Sequence, residues 1–297
     1  MNTLLQTIGK TPMIKLGKTL DGVGVNLYAK LEGYNPGGSI KDRVALYMVE
    51  QAEKRGELKP GKIILEATSG NMGIALAMVG ACKGYEVQIV MSEGMSEERK
   101  AILKAFGAKL ILTEKRFGTG GALSRAKEMV KNSPELYWFP NQFNNADNVM
   151  SHYHGIAKEI LEEVSDIDYL IAGVGTSGTI IGVAKRLKKN SPKTKIVGVF
   201  PNAGYEIQGL QNPNKDFIGK IFREDMIDET LQVSKENAYS AARKAAKIEG
   251  LLVGMSSGAV LYAACQKSQS LKEGNIVAIV PDKGDRYLST GLFNCLD

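Results

Sequence analysis

A chain of 297 residues with 43% hydrophobic content is long enough to bury one large or two medium cores. Its formal charge of +6 is dispersed along helical patterns such as RLKK and AARKAAK, usually with Glu or Asp nearby, so it describes solvated helix faces rather than a nucleic-acid surface, with an anionic ligand as the secondary reading. Cys82, Cys265 and Cys295 are scattered and form no CxxC pair, no disulfide framework and no zinc pattern, and no stretch approaches the roughly 18 consecutive apolar residues of a membrane span. The opening MNTLLQTIGKTP has no basic segment ahead of a long apolar core, so a cytoplasmic protein with no metal, nucleic-acid or membrane partner is expected.

Short apolar strands alternate with helical patterns from end to end. After the strand NLYAKLE comes NPGGSIKDR (35–43), and VALYMVEQAEKRGEL has helical spacing, so Lys41 falls in the first turn of a helix. The partial positive charge and free N–H groups of that turn disfavour a cation and push a lysine toward its neutral amine. The alternative is that Lys41 is one of the many solvated cations among 38 Lys+Arg.

The strand KIILEA leads into EATSGNMG (66–73) and a second helix, GIALAMVG. Helix capping by Thr68, Ser69 or Asn71 accounts for one polar residue there, whereas four small or polar residues in a row suggest a cradle for a carboxylate or phosphate. The alternation continues through EVQIVMS, SEERKAILKAFG, AKLILTE and GGALSRAKEMVKN. YWFPNQFNNADN, rich in Asn and aromatic residues, is the candidate junction between two α/β halves. His152 and His154 in SHYHG have no obvious carboxylate partner, which favours packing or a ligand contact over metal ligation.

Beyond the junction, DYLIAGVG, TIIGVAKRLKKN, KIVGVFP and NIVAIVP resume the pattern. GVGTSG (173–178) matches G-x-G-x-x-G between a strand and a helix, but the ribose-binding acid expected at the end of the next strand is replaced by Phe200, Pro201 and Asn202. A loop for a single phosphate is therefore favoured over a nicotinamide-dependent oxidoreductase. GKT at 9–11 fails as a nucleotide loop because Leu4 stands where the first Gly is required. In GMSSGA (254–259), Ser256 or Ser257 reads first as a helix cap. The whole pattern predicts parallel sheets covered by helices, with ligands at the carboxyl ends of the strands.

NPGGSIKDR, TSGN, QFNN, GTSGT, SSGA and GDRYLST occur in one order over the whole chain, which resembles the cysteine synthase family; EATSGN and PDKGDRYLSTGLF are most similar to its B-type members. The resemblance implies the tryptophan synthase β fold: two doubly wound α/β domains, residues 1–145 and 146–297, with residues near 10–35 crossing to the other domain and pyridoxal 5'-phosphate in the cleft between them. It implies a Schiff base from Lys41 to the cofactor, a hydrogen bond from Asn71 to its ring hydroxyl oxygen, and phosphate binding by Gly175, Thr176, Ser177, Gly178 and Thr179. Ser256 would face the pyridine nitrogen. Thr68, Ser69 and Gln142, with the backbone at Met72, match the substrate-carboxylate site. The implied activity is β-replacement, O-acetyl-L-serine and sulfide giving L-cysteine, in a homodimer for which a serine acetyltransferase is a candidate partner.

Three departures bear on specificity. The usual TSGNTG reads TSGNMG, which exchanges a hydroxyl for the Met72 thioether near the carboxylate site. The GPEI that usually follows the QFxN segment is replaced by HGIAKEI after SHY, so His152 and His154 are candidates for a modified substrate mouth. In NPNKDFIGKIF, Asp216 stands where cysteine synthases tend to have Gly and cystathionine β-synthases Asp; it reads either as an exposed loop carboxylate or as an acid–base group. The second role would suit exchange of L-cysteine and water for L-serine and hydrogen sulfide, or cystathionine- and lanthionine-forming replacement. Gln211 and Asn212 occupy the region where phosphoserine-using relatives carry an arginine, which argues against a phosphorylated donor.

Overall fold

The computed structural model describes residues 3–17, 24–68, 70–212 and 219–294. Ser69, Asp216 and Cys295 lie outside the described residues.

The first half runs β1 (Met13–Leu16), β2 (Val25–Leu31), α1 (Lys41–Lys54), β3 (Ile63–Ala67), α2 (Asn71–Lys83), β4 (Val87–Ser92), α3 (Glu97–Ala105), β5 (Lys109–Thr113), α4 (Gly118–Asn132) and β6 (Tyr137–Trp138). The second half runs α5 (Ala146–His154), α6 (Ile156–Glu163), β7 (Tyr169–Gly173), α7 (Gly178–Asn190), β8 (Lys195–Pro201), β9 (Glu229–Val233), α8 (Lys235–Lys244), α9 (Met255–Gln269) and β10 (Gly274–Val280).

These strands form two sheets. One has the order β5-β4-β3-β6 and is parallel throughout. The other has the order β1-β2-β10-β7-β8-β9, parallel except for the edge pair β1/β2, whose antiparallel register departs from the all-parallel expectation. Residues 13–16 and 25–31 thus pair into the sheet built otherwise by the C-terminal half.

Parallel strands buried on both faces read as continuous apolar runs, and NIVAIV shows why. Along β10, Ile276, Ala278 and Val280 enter one core while Val277 and Ile279 enter another, the period of two set by the pleat. In the smaller sheet Ile64, Ile89 and Met91 face α1 and α2, whereas Leu65 and Val90 face Ala122 and Ala126 of α4. α2 and α9 are apolar nearly all round because each is covered on almost every side.

The two halves are joined by a buried ion network. Arg43 of α1 donates to both carboxylate oxygens of Glu32 and, at 2.6 and 2.7 Å, to those of Glu159 in α6. The fully buried Lys30 of β2 reaches Glu159 at 3.1 Å and Glu163 at 2.7 Å. Burial alone would push the Glu159 carboxyl up, but Arg43 and Lys30 outweigh it and hold it at about 2.

Candidate active site

The turns that leave β3, β7 and β10, together with the segment 35–41 that follows β2, meet at the carboxyl ends of the two sheets. Lys41, Asn71, Gly175, Thr176, Ser177, Thr179 and Ser256 line one cleft, with Ile40, Gly209, Leu210, Ile279 and Pro281 among its walls. Gly178 stands behind it as the first residue of α7.

Lys41 opens α1 as its spacing predicts. Lys41 is half-buried at the cleft, and the loss of hydration there lowers its pKa to about 8. Nζ lies 3.4 Å from the Thr176 hydroxyl, which also accepts a 3.0 Å hydrogen bond from Asn148 Nδ2.

Three helices begin at this cleft without a side-chain cap: α2 after Gly70, α7 after Ser177 and α9 after Gly254. Capping by Asn71, Ser256 or Ser257 is therefore not what these residues do. Their leading N–H groups remain available to an anion, and Ser177, in the left-handed region at φ 69°, turns the chain so that α7 starts at the cleft. The glycines here leave room for close approach. A Cβ on Gly175 would stand 2.3 Å from the Gly209 carbonyl, and one on Gly178 would stand 2.0 Å from Asn148 Oδ1.

The Asn71 carboxamide is held from both ends. Arg286 Nη1 donates to its Oδ1 at 2.7 Å, and its Nδ2 donates to Asp282 Oδ2 at 2.9 Å. Ser256 is buried, and Gly209 at φ 95° passes so near that a Cβ there would be 2.9 Å from the Ser256 Oγ. Ser257 instead donates to Asp282 Oδ1 at 2.9 Å.

Thr68 and Gln142 are both buried. The Thr68 hydroxyl accepts from the Gly70 N–H at 3.2 Å, and the Gln142 carbonyl accepts from Asn148 at 2.8 Å. Beneath them, the Glu66 carboxyl accepts from the backbone of Ala67 and Gln142, yet burial pushes its pKa up to about 8.

Two sequence expectations are corrected. The Met72 side chain packs into the core between α1 and α2 at 1% exposure, so its thioether brings no sulfur to the cleft and only its backbone faces the turn. His152 is fully buried under α7, with Nε2 3.2 Å from Thr179 Oγ1. Burial, then the charges of Lys41 and Arg43, lowers its pKa well below the usual imidazole range. It is a neutral packing residue behind the glycine loop, and His154 stacks on the exterior against Tyr47, so neither forms a mouth. Conversely, Asn148, Asp282 and Arg286 escape motif reading. QFNNADN and PDKGDRY contain them, but only tertiary contact shows what they hold.

Among the described residues no group of His, Cys, Asp and Glu could hold a metal ion, and no helix is long and apolar enough to cross a membrane. Residues 4–282 match the family described as pyridoxal-phosphate dependent enzymes. Cysteine synthase B of Escherichia coli strain K12 is 42% identical over 294 residues, covering 99% of this chain and 96% of that protein. The crystal structure of cysteine synthase from Entamoeba histolytica superposes with a TM-score of 0.95 at 41% identity, covering 100% of this chain and 92% of that one. A hydrogen sulfide-producing enzyme from Fusobacterium nucleatum superposes with a TM-score of 0.91 at 38% identity, covering 97% and 98% of the two chains. With the lysine, the glycine and hydroxyl loop and the full-length matches agreeing, the chain belongs to the family of pyridoxal-phosphate dependent enzymes.

Proposed function

We propose that the chain catalyses β-replacement of the cysteine synthase type, in which O-acetyl-L-serine and sulfide give L-cysteine and acetate. The observation that carries this reading is the placement of the Lys41 amine in one cleft with the uncapped start of α7 and the neutral hydroxyl of Ser256. Those residues fit pyridoxal phosphate: the N–H groups and hydroxyls of 175–179 suit its phosphate, Asn71 its ring oxygen, and Ser256 its ring nitrogen. What the cofactor supplies when bound is an electron sink for negative charge at the substrate Cα.

Lys41 Nζ, neutral above about pH 8, is suited both to attach to the cofactor aldehyde and, once released, to take the proton from Cα. A serine hydroxyl beside the ring nitrogen does not keep that nitrogen protonated, which favours loss of the β-substituent over transamination. Thr68, Ser69, Gln142 and the backbone at Met72 would hold the substrate carboxylate, orienting Cβ for the loss of acetate, with cleavage of its Cβ–O bond, and the addition of sulfide at the same carbon.

A second reading is the exchange of L-cysteine and water for L-serine and hydrogen sulfide, with Asp216 as the acid–base group. It is favoured by the likeness to a hydrogen sulfide-producing enzyme and by the aspartate at 216. The same reading takes residues 1–145 and 146–297 as the two domains, with 10–35 crossing over, in a cytoplasmic homodimer and with a serine acetyltransferase as a candidate partner.

Borohydride reduction of the purified yellow protein followed by peptide mapping tests the site, and a label on any lysine other than Lys41 overturns it. Product analysis separates the activities. Accumulating cysteine from O-acetyl-L-serine and sulfide identifies the synthase; release of sulfide and serine from cysteine alone, with poor use of O-acetyl-L-serine, identifies the exchange. An Asp216→Asn protein that keeps full cysteine-to-serine turnover removes Asp216 from the second reading.

A further inference from the structure

We infer that Arg286 is a positioning residue for cofactor chemistry, acting through Asn71: its guanidinium fixes the Asn71 carboxamide so that an N–H, never the carbonyl oxygen, is presented to the cleft. This rests on the proposed reading of Asn71 as the residue that meets the cofactor's ring oxygen.

The orientation follows from donor and acceptor chemistry alone. A guanidinium can only donate, so the Asn71 atom facing Arg286 Nη1 at 2.7 Å must be the carbonyl oxygen. A carboxylate can only accept, so the atom facing Asp282 Oδ2 at 2.9 Å must be the amide nitrogen. A flipped amide would set its N–H₂ against Arg286 and its oxygen against Asp282, losing both bonds at once. One Nδ2 proton is taken by Asp282, and the other remains for the cleft that Asn71 lines.

Arg286 and Asp282 are themselves held. Arg286 is 6% exposed, and its second nitrogen donates to the Gly37 carbonyl at 2.8 Å, four residues before Lys41. Gly38, at φ 81°, makes room: a Cβ there would stand 2.2 Å from Arg286 Nη2. Asp282 accepts from Ser257 and from the Tyr287 hydroxyl, and the Pro281 carbonyl accepts from the Ile40 N–H at 2.8 Å. One planar fork thus spans the loop that carries Lys41 and the amide of Asn71, which a lysine ammonium could not do at two points in a fixed geometry.

The test compares the visible absorbance of the bound cofactor and its rate of release in wild type, Asn71→Ala, Arg286→Met and the double variant. Loss of the donor to the ring oxygen should shift the band in Asn71→Ala. Arg286→Met should shift it in the same direction and speed cofactor release about tenfold or more, as expected for removing its charge-assisted hydrogen bonds to Asn71 and to the Gly37 carbonyl. The double variant should show no shift beyond Asn71→Ala. If Arg286→Met does not fold, Arg286→Lys is compared in its place, and a shift that vanishes in the Asn71→Ala background is again expected.

A wild-type spectrum in a folded Arg286 variant, or a shift that persists unchanged without Asn71, overturns the inference while leaving Asn71 in its role. An Asn71→Ala protein with a wild-type spectrum and wild-type release overturns the site reading itself.

Discussion

The amine of Lys41 and the hydroxyl of Thr176 stand 3.4 Å apart, one at the start of α1 and the other in the loop before α7. The two halves of the chain therefore meet at a titratable amine beside an anion-binding loop. Because burial brings that amine to about 8, the protonation state of Lys41 should set how fast the cofactor is captured.

Only the neutral amine attacks an aldehyde. Stopped-flow absorbance of the cofactor-free protein mixed with pyridoxal phosphate should show a rate that climbs about tenfold per pH unit below the pKa and levels near pH 8. A rate still rising beyond pH 10, the behaviour of a solvated lysine with a pKa of about 10.4, contradicts this. Lys41→Ala should lower turnover by about 10²–10⁴-fold or more through loss of its proton transfer alone.

Gly178 and Asn148 should be coupled. Gly178→Ala would set its Cβ 2.0 Å from Asn148 Oδ1, and Asn148→Ala would remove the hydrogen bonds to Thr176 and Gln142 while opening that space. Each change should cost about 1–3 kcal/mol in urea unfolding. The double variant should cost clearly less than the sum; additive losses would show that the two side chains do not compete for one volume.

How much of this was legible depends on what each feature is made of. Lys41, TSGN, GVGTSG and SSGA stand out because a turn between an apolar strand and a helix has few reasons to hold only small and hydroxylated residues. β1, β6 and β9 escape the pattern: β6 spans two residues, and β9 (ETLQV) is a partly exposed edge strand with polar residues interleaved. Side-chain direction is equally hidden. Met72 and Asn71 are neighbours in the same turn, yet one enters the core and the other the cleft, because a helix sends consecutive side chains about 100° apart. The ties from Asn71 to Asp282 and Arg286 span 211 and 215 residues, a separation that no local pattern reports.

Glu66 should make the fold less tolerant of alkali. Its folded pKa of about 8 lies above the ordinary 4.5, so the fold favours the protonated carboxyl. That contribution is complete below 4.5 and is lost as pH rises through about 8. Glu66→Gln, which mimics the neutral group, should flatten stability across that window in denaturant titrations; an unchanged pH profile would show that Glu66 ionises freely.

Arg43→Met should be among the costliest single changes, about 3–5 kcal/mol, because it strands the buried Glu32 carboxylate and frees Glu159 from its main partner. Thermal unfolding measures this. Glu159 adds an acid limb of its own: its low pKa contributes stability that is present above 4.5 and lost as pH falls toward 2.

The strand order carries a consequence for how the chain is made. β2 finds its parallel partner only in β10, which also separates it from β7, so residues 25–31 leave the ribosome long before the strand that houses them. The sheet β5-β4-β3-β6 is contiguous from 63 to 138 and can close early. The larger sheet cannot, because its central strand is the last to be synthesised. A nascent chain halted before residue 274 holds an unplaced β1–β2 pair whose apolar face, Val25, Leu27, Ala29 and Leu31, lacks the strand that completes its core, and it is at that stage of synthesis that chaperone capture or aggregation should concentrate.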